Sequence, residues 1–141
     1  HRPADEGDPV SARLTDAVRS ILAAPNFAHI ATMRADGTPH VSVVWLDTDG
    51  DLVRVNSAVG RVKDRNVRRD PRVAVSVALA SNPYETVTVD GRVDAMVTGP
   101  EADAHIDALS RAYTGKPWNP VAGQERVIYL IRPERIVHHT A

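Results

Sequence analysis

The chain has 141 residues, of which 43% are hydrophobic and 25% are charged, and its formal net charge is −1. It contains no cysteine, which excludes disulfides, thiolate metal sites and cysteine nucleophiles. A net charge so close to zero gives no general attraction to nucleic acid, so any binding of an anion must depend on a local cluster of cations.

The first residues are polar and acidic rather than a signal-type apolar segment, and no run of 18 apolar residues occurs anywhere. We therefore expect a cytoplasmic protein without a membrane partner. The length is that of one globular domain. Residues 1–9 are expected to be disordered, and residues 10–141 to form a single domain.

The first predicted element is an amphipathic helix over residues 11–24. Ser11 is the expected N-cap, and Pro25 ends the helix. The apolar residues follow helical spacing at Leu14, Val18, Ile21 and Leu22.

Beyond Asn26 the apolar period becomes two, which predicts strands. Three strands joined by tight Asp-Gly hairpins are expected, as a β-meander. The strands are predicted at 27–33, 40–46 and 52–56, with turns at 35–38 and 47–50.

Six basic side chains then fall within the twelve residues from Arg61 to Arg72. So many cations repel one another unless carboxylates or a bound anion offset them, so the segment indicates an anion site. The alternative is a solvated helix face with an Asp64–Arg68 pair, and Asp70 and Arg72 are expected to pair structurally. A short helix is expected to begin near Val62.

The second half of the chain predicts further strands and one helix. A buried strand is expected at 72–79, and a strand at 85–97 with a bulge at Asp90–Gly91. A Thr98/Glu101 capping box is expected to start a helix that continues to about Thr114, followed by a loop at 115–120. Strands at 126–131 and 134–138 flank a corner at Arg132–Pro133.

These elements predict a mainly β fold with helices, an antiparallel β-barrel of six or seven strands with two or three packed helices. Only 4% of the residues are aromatic, so Val, Ile, Leu and Ala must fill the core. Dinucleotide, P-loop, zincin and serine-hydrolase motifs are absent from the sequence. His138 and His139 are adjacent and would face opposite sides of a strand, so no metal site is predicted.

Three segments, in this order, carry a resemblance to a known family. They are Ile30-Ala-Thr-Met-Arg-Ala-Asp-Gly-Thr-Pro-His-Val-Ser-Val-Val44, Val55-Asn-Ser57 and Arg61-Val-Lys-Asp-Arg-Asn-Val-Arg-Arg-Asp-Pro-Arg-Val73. Together they resemble the pyridoxamine 5′-phosphate oxidase-like split β-barrel family, and most closely its flavin/deazaflavin oxidoreductase branch, whose members bind coenzyme F420 or FMN.

The resemblance implies a homodimer with the cofactor in a groove between subunits and a small conjugated or heterocyclic molecule as hydride acceptor. It places the cofactor phosphate at Arg61 and Lys63, and the ring along the second strand. The cofactor-binding residues it implies are His40, Val41, Ser42, Val43, Val44, Trp45, Asn56, Ser57, Arg61, Lys63 and Asn66. Trp118 and Asn119 could line the pocket from the partner subunit, although surface packing is the simpler interpretation.

The sequence leaves several alternatives open. The C-terminal segment lacks the tryptophan of authentic pyridoxamine 5′-phosphate oxidases, which argues against vitamin B6 oxidation. The composition, which is typical of a GC-rich genome, and the short length resemble the deazaflavin-using members from actinobacteria, which favours F420 over FMN. No catalytic residue is assigned, and His40, Tyr84 and Tyr113 are the candidate proton donors. A non-catalytic carrier of F420, FMN or haem is a rival of another class, and a single-strand nucleic-acid barrel is a weaker one because exposed aromatic residues are scarce.

Overall fold

The computed structural model describes residues 12–140, as seven strands and three helices. The predicted disordered segment 1–9 and the predicted N-cap Ser11 lie outside these residues. In chain order the elements are α1 (Asp16–Ala23), β1 (Ala28–Met33), β2 (Pro39–Val44), β3 (Leu46–Asp49), β4 (Leu52–Ala58), α2 (Val62–Arg69), β5 (Arg72–Leu79), β6 (Asn82–Thr98), α3 (Pro100–Thr114) and β7 (Arg126–His139).

The strands form one antiparallel sheet in the order β2-β1-β5-β6-β7-β4-β3. Its two edge strands, β2 and β3, follow each other in the chain and are joined by Trp45 alone. The sheet must therefore curl until its two edges approach each other, which is the geometry of a split barrel. The predicted fold class is confirmed.

The predicted second strand and second turn are wrong in detail. The segment 40–46 is not one strand, because the chain passes at Trp45 from pairing with β1 to pairing with β4. Residues 47–49, predicted as a turn, belong to β3, and the turn itself lies at Gly50–Asp51. The alternation of side chains hides this crossing, because its period of two continues through both strands.

Helix α1 is shorter than the predicted 11–24. Its N-cap is Thr15, whose Oγ1 accepts the Val18 N–H at 3.2 Å. The preceding backbone is bound to other elements: the Ala12 N–H donates to the Pro133 carbonyl at 2.7 Å, and the Leu14 N–H donates to Asp51 Oδ1 at 3.1 Å. These bonds hold residues 12–14 outside the helix.

The long hairpin of β6 and β7 replaces several shorter predicted elements. β6 begins at Asn82 rather than Glu85, and β7 continues through Arg132–Pro133, where a corner between two strands was predicted. The expected bulge is confirmed, because the pairing register shifts between Asp90 and Gly91, opposite Arg135 and Pro133. Pro133 has no backbone N–H to donate, and the sheet does not require one at this irregularity, so β7 continues through the proline.

Gly91 makes this bulge possible, and its substitution should destabilise the fold. A Cβ at Gly91 would collide with the backbone carbonyl oxygen of Arg132, which cannot move without breaking the β6–β7 pairing. We expect Gly91→Ala to lower the free energy of unfolding by about 1–3 kcal/mol. Urea denaturation measures this value. Asp90→Ala, at the exposed neighbouring position, is the control, and equal stability of the two variants would contradict the prediction.

Helix α3 begins without the predicted capping box. Its N-cap is Gly99, whose φ of 82° is a positive value that a residue with a side chain would adopt only with strain, and Pro100 occupies the first turn. The predicted end at Thr114 is confirmed, and Gly115 caps the helix in the left-handed conformation. The helix packs against β4, β6 and β7.

The core is aliphatic, as predicted, and includes one buried tyrosine. Fully buried side chains are Tyr129, Leu22, Ile30, Leu46, Ile128, Ile131, Val53, Val55, Val75, Val77, Val87 and Val89. Among residues 12–140, no helix has the length and apolar character needed to cross a membrane.

Candidate functional site

The site lies where the two sheet edges meet. β2 is an edge strand, so one side of its backbone has no strand partner within the described part of the chain. Trp45, at the crossing, stacks on Tyr113 of α3 with ring centroids 5.4 Å apart. The Tyr113 hydroxyl accepts the Leu46 N–H at 3.2 Å and donates to the Asn26 carbonyl at 3.1 Å. Helix α3 thus fixes the point at which the barrel is split.

A cleft of about 170 Å³ opens beside Trp45. Apolar side chains form much of its wall, with cations and one amide at the other side. The lining residues are Val43, Val44, Trp45, Asn56, Arg61, Lys63, Ile106, Trp118 and Arg126. Trp118 meets Trp45 edge to face at 6.2 Å, so aromatic rings border one side. A planar apolar group with an anionic substituent suits such a lining.

A second cavity of about 420 Å³ adjoins the cleft and shares Arg61 and Lys63 with it. His40, Gly60, Val62 and Arg65 complete its lining. It lies at the start of α2, whose N-cap Arg61 makes no capping hydrogen bond through its side chain. Free N–H groups of a helix first turn favour an anion. The buried Nδ1 of His40 has no hydrogen-bond partner within residues 12–140.

The structure separates the cations of the basic run into two groups. Four of them bind protein oxygen atoms. Arg65 donates to the Gly60 carbonyl, Arg68 pairs with Asp64, Arg69 donates to the Met33 carbonyl and Arg72 pairs with Asp70. The predicted Asp70–Arg72 pair is confirmed, and the Asp64–Arg68 pair, which belonged to the solvated-helix alternative, is also present, although Asp64 is buried. Within the described residues, Arg61 and Lys63 have no ion pair, and both line the two cavities.

Arg126 joins these two cations from β7, and the two buried members of this set, Lys63 and Arg126, make no ion pair within residues 12–140. Burial, then the charges of Arg61 and Arg126, lower the pKa of Lys63. Burial, then the charge of Arg61, lowers the pKa of Arg126 to about 10. Both cations are 7% exposed. A bound anion would relieve this repulsion.

Asn56 lines the cleft, but its side-chain amide already makes hydrogen bonds within the protein. Nδ2 donates to the Ala102 carbonyl and lies 3.0 Å from Nδ1 of His105, while Oδ1 accepts Nε–H of Arg126 at 2.9 Å. His105 in turn lies 2.9 Å from Asp47, which also pairs with Arg54. Burial opposes ionisation of Asp47, but the hydrogen bonds from His105 and Arg54 outweigh it and lower its pKa.

The structure brings most of the predicted cofactor-binding residues together. Val43, Val44, Trp45, Asn56, Arg61 and Lys63 line the cleft, and His40 lines the adjoining cavity.

Four predicted site residues do not line either cavity. Val41 is 58% exposed on the outer face of β2, Ser42 lies on the opposite face, and Ser57 is buried in β4. Asn66 is buried and donates to Thr32 Oγ1 at 3.0 Å, so its amide fastens α2 to β1.

Sequence reasoning missed Arg126, Ile106 and His105. Arg126 was visible only as the first residue of a strand, far along the chain from the basic run, so no local pattern linked it to Arg61. Trp118, suggested as a wall contributed by a partner subunit, lines the cleft of its own chain, with the Arg126 guanidinium 5.0 Å above its ring. Asn119 is exposed.

The candidate proton donors differ in position. His40 lies at the cavity, whereas Tyr84 is 74% exposed at the start of β6. The Tyr113 hydroxyl is bound to backbone groups, and burial raises its pKa. His40 is therefore the only one of the three that lines a cavity at the site.

Comparisons with known proteins agree with the split-barrel fold. Residues 14–140 match the family model described as pyridoxamine 5′-phosphate oxidase. An F420 reductase is 36% identical, with a TM-score of 0.77 over 84% of this chain and 94% of its own. A conserved hypothetical protein from Mycobacterium tuberculosis shares the fold at 20% identity and a TM-score of 0.72, over 94% of this chain and 88% of its own. An FMN-binding, pyridoxamine 5′-phosphate oxidase-related protein from Nostoc punctiforme also shares the fold. Its sequence identity is 15% and its TM-score is 0.62, over 81% of this chain and 74% of its own.

Proposed function

Because the chain belongs to the pyridoxamine 5′-phosphate oxidase family, we propose that it is an oxidoreductase that binds coenzyme F420, or alternatively FMN, and reduces a small conjugated or heterocyclic acceptor. One observation carries this proposal. Arg61 and Lys63, alone among the cations of the basic run, have no protein oxygen as a partner within residues 12–140, and both line the cleft.

The residues present fit a flavin-type cofactor. Arg61 and Lys63 would hold the phosphate, one as a bidentate donor and the other as a point charge, with the start of α2 beside them. The ring would lie against Val43, Val44 and Trp45. The free edge of β2 offers backbone N–H and C=O groups, which complement the carbonyl and imide edge of such a ring.

When bound, the cofactor supplies hydride chemistry that the protein's own side chains lack. The chain's residues bind and orient the ring, and Trp45 and Trp118 exclude water from one side of it. His40 is the residue at the site that could hold a proton. The similarity to an F420 reductase supports F420 over FMN.

We also propose that the active form is a cytoplasmic homodimer with the cofactor in the groove between subunits. Exposed valines support this assembly, because Val41 and Val43 are 58% and 56% exposed on the outer face of β2. Val59 and Val62 add apolar surface near the start of α2. Paired apolar faces of this kind are typical of a subunit interface.

A titration with both cofactors tests the proposal. Absorbance and fluorescence of the protein are followed as F420 or FMN is added, with the mass in solution measured in parallel. Arg61→Ala should weaken binding about tenfold, because a hydrogen bond to a charged group contributes about 1.5 kcal/mol or more. Arg135→Ala, an exposed arginine on β7, is the matched control.

Wild-type affinity in Arg61→Ala would contradict the phosphate assignment. Tight binding together with failure to reduce any acceptor under turnover conditions would identify a carrier instead of an enzyme. Binding of single-stranded DNA that falls steeply with salt, without flavin binding, would favour the nucleic-acid alternative.

A further inference from the structure

The cleft is supported from behind by a buried chain of hydrogen bonds that the proposed chemistry does not use. It runs from Arg126 through Asn56 and His105 to Asp47, and links β7, β4, α3 and β3. Asn56, His105 and Arg126 are 6%, 5% and 7% exposed. Of the four residues in this chain of bonds, Asn56 and Arg126 line the cleft, whereas His105 and Asp47 do not.

The two outer partners of Asn56 fix the orientation of its amide. The Ala102 carbonyl, 3.0 Å away, can only accept a hydrogen bond, so it must face Nδ2. Nε of Arg126, 2.9 Å away, can only donate, so it must face Oδ1. A flipped amide would place an oxygen against the carbonyl and an N–H against the guanidinium.

This orientation determines the tautomer of His105. Nδ2 of Asn56 donates to Nδ1 of His105 at 3.0 Å, so Nδ1 must carry a lone pair. The ring proton then resides on Nε2, where Asp47 Oδ1 accepts it at 2.9 Å. Asp47 is held in turn by Arg54, with Nε–Oδ1 at 2.9 Å and Nη2–Oδ2 at 2.7 Å. The Arg54–Asp47 pair thus holds the acceptor of the Nε2 proton in place.

The far end of the chain of bonds is the Arg126 guanidinium. Its Nε–H donates to Asn56 Oδ1, and its Nη1 donates to Gln124 Oε1 at 2.9 Å. The guanidinium carbon lies 5.0 Å from the centroid of the Trp118 ring. Nη2 makes no hydrogen bond to the described residues. The guanidinium thus keeps one donor nitrogen without a partner among the described residues, at the cleft that it shares with Arg61 and Lys63.

We infer that His105 is a positioning residue: as the neutral Nε2–H tautomer it orients Asn56, which holds Arg126 as a third cation for the anionic group of the ligand in the cleft. The inference rests on the proposed function for the identity of that ligand. The chain of bonds itself does not depend on it. His105 has no direct contact with the ligand.

Two substitutions separate positioning from simple packing. An asparagine at 105 can place an acceptor where Nδ1 lies, while a glutamine can place a donor where Nε2 lies. His105→Asn should therefore keep the bond to Asn56, and His105→Gln should lose it while keeping the bond to Asp47. We expect His105→Gln to weaken cofactor binding about five- to tenfold and His105→Asn to weaken it less than twofold.

A double-mutant cycle tests whether the effect passes through Arg126. Arg126→Met should weaken binding about tenfold, and adding His105→Gln should then produce no further loss. Equal losses in His105→Asn and His105→Gln, or losses that multiply in the double variant, would overturn the inference. Circular dichroism confirms that each variant is folded before it is titrated.

Histidine ¹⁵N NMR of the wild-type protein needs neither a variant that folds nor a bound cofactor. At pH 7.5, Nδ1 of His105 should show the shift of an unprotonated ring nitrogen, and a protonated Nδ1 would overturn the inference. If neither F420 nor FMN binds, the proposed function fails. The same variants titrated with inorganic pyrophosphate, and the NMR result, still decide the role of His105.

Discussion

Replacing Lys63 with methionine should weaken cofactor binding by about 10- to 100-fold and at the same time stabilise the cofactor-free protein. The loss of binding follows from the removal of a charged donor to the phosphate, which contributes about 1.5–3 kcal/mol. The gain in stability follows because Lys63 is 7% exposed and has no carboxylate partner among residues 12–140. A buried cation of this kind costs folding free energy, and an apolar side chain of similar length removes that cost, about 1 kcal/mol.

The pH dependence of stability supplies a second check of Lys63. Burial, followed by the charges of Arg61 and Arg126, sets the folded-state pKa of Lys63 below the lysine value of 10.5. The unfolded chain therefore binds more protons as the pH approaches 10.5 from below, so this residue makes the folded state more stable as the pH rises. This increase in the free energy of unfolding with pH should be smaller in Lys63→Met.

The other lysine of the chain is the matched control. Lys116 lies exposed in the loop after α3, so Lys116→Met should change neither affinity nor the midpoint of thermal unfolding appreciably. Isothermal titration with F420 and FMN and thermal melts of the cofactor-free proteins give both quantities. A Lys63→Met protein that melts below the wild type and binds equally well would contradict the assignment.

The largest loss of stability among single substitutions at the site is expected for Asp64→Asn, about 2–3 kcal/mol. Asp64 is 1% exposed and accepts three hydrogen bonds: from the Gly60 N–H at 2.9 Å, from Arg68 at 3.0 Å and from the Tyr129 hydroxyl at 2.8 Å. An asparagine loses the charge and directs an N–H at one of these donors. The turn before α2 and the buried Tyr129 would both lose a partner.

The loss of stability in Asp64→Asn should become smaller as the pH falls. Burial opposes ionisation of Asp64, but the hydrogen bonds from Arg68, Gly60 and Tyr129 outweigh it, so its pKa lies below the ordinary value of 3.8. The stabilisation is therefore complete above about pH 4 and is lost as the pH falls below that value. Urea denaturation at pH 7 and pH 3 measures the difference between wild type and Asp64→Asn, which should shrink at pH 3.

Asp16→Asn, on the exposed side of α1, is the control and should leave the urea midpoint almost unchanged. Because Asp64 holds the turn that carries Arg61 and Lys63, cofactor binding should also weaken in Asp64→Asn. A variant as stable as wild type at pH 7 would show that these three hydrogen bonds do not support α2.

The sequence was informative where local chemistry decides the structure. The Asp36–Gly37 hairpin, the bulge at Asp90–Gly91 and the pairing of Asp64 with Arg68 depend on neighbouring residues; the first two were predicted, and the third was named within the solvated-helix alternative. These features follow from turn preference, from the lack of a Cβ and from helical spacing. Arg61 and Lys63 are two residues apart in the sequence, so both lie at the start of α2.

Features decided by tertiary structure were not predictable. The crossing at Trp45 depends on the curl of the whole sheet, and the alternating pattern gives no sign of it. Thr15 replaces Ser11 as the N-cap because the backbone before it is bound to β7 and to Asp51. Arg126 reaches the cleft because β4 and β7 pair, with Ala58 opposite Arg126 in the register.

A crystal structure of the protein with bound F420, and a second with FMN, tests the central claim most directly. We expect the phosphate within hydrogen-bond distance of Arg61 and Lys63, with the ring along Val43–Trp45 and beside Trp118. A phosphate bound elsewhere, with these two cations facing only solvent, would contradict it.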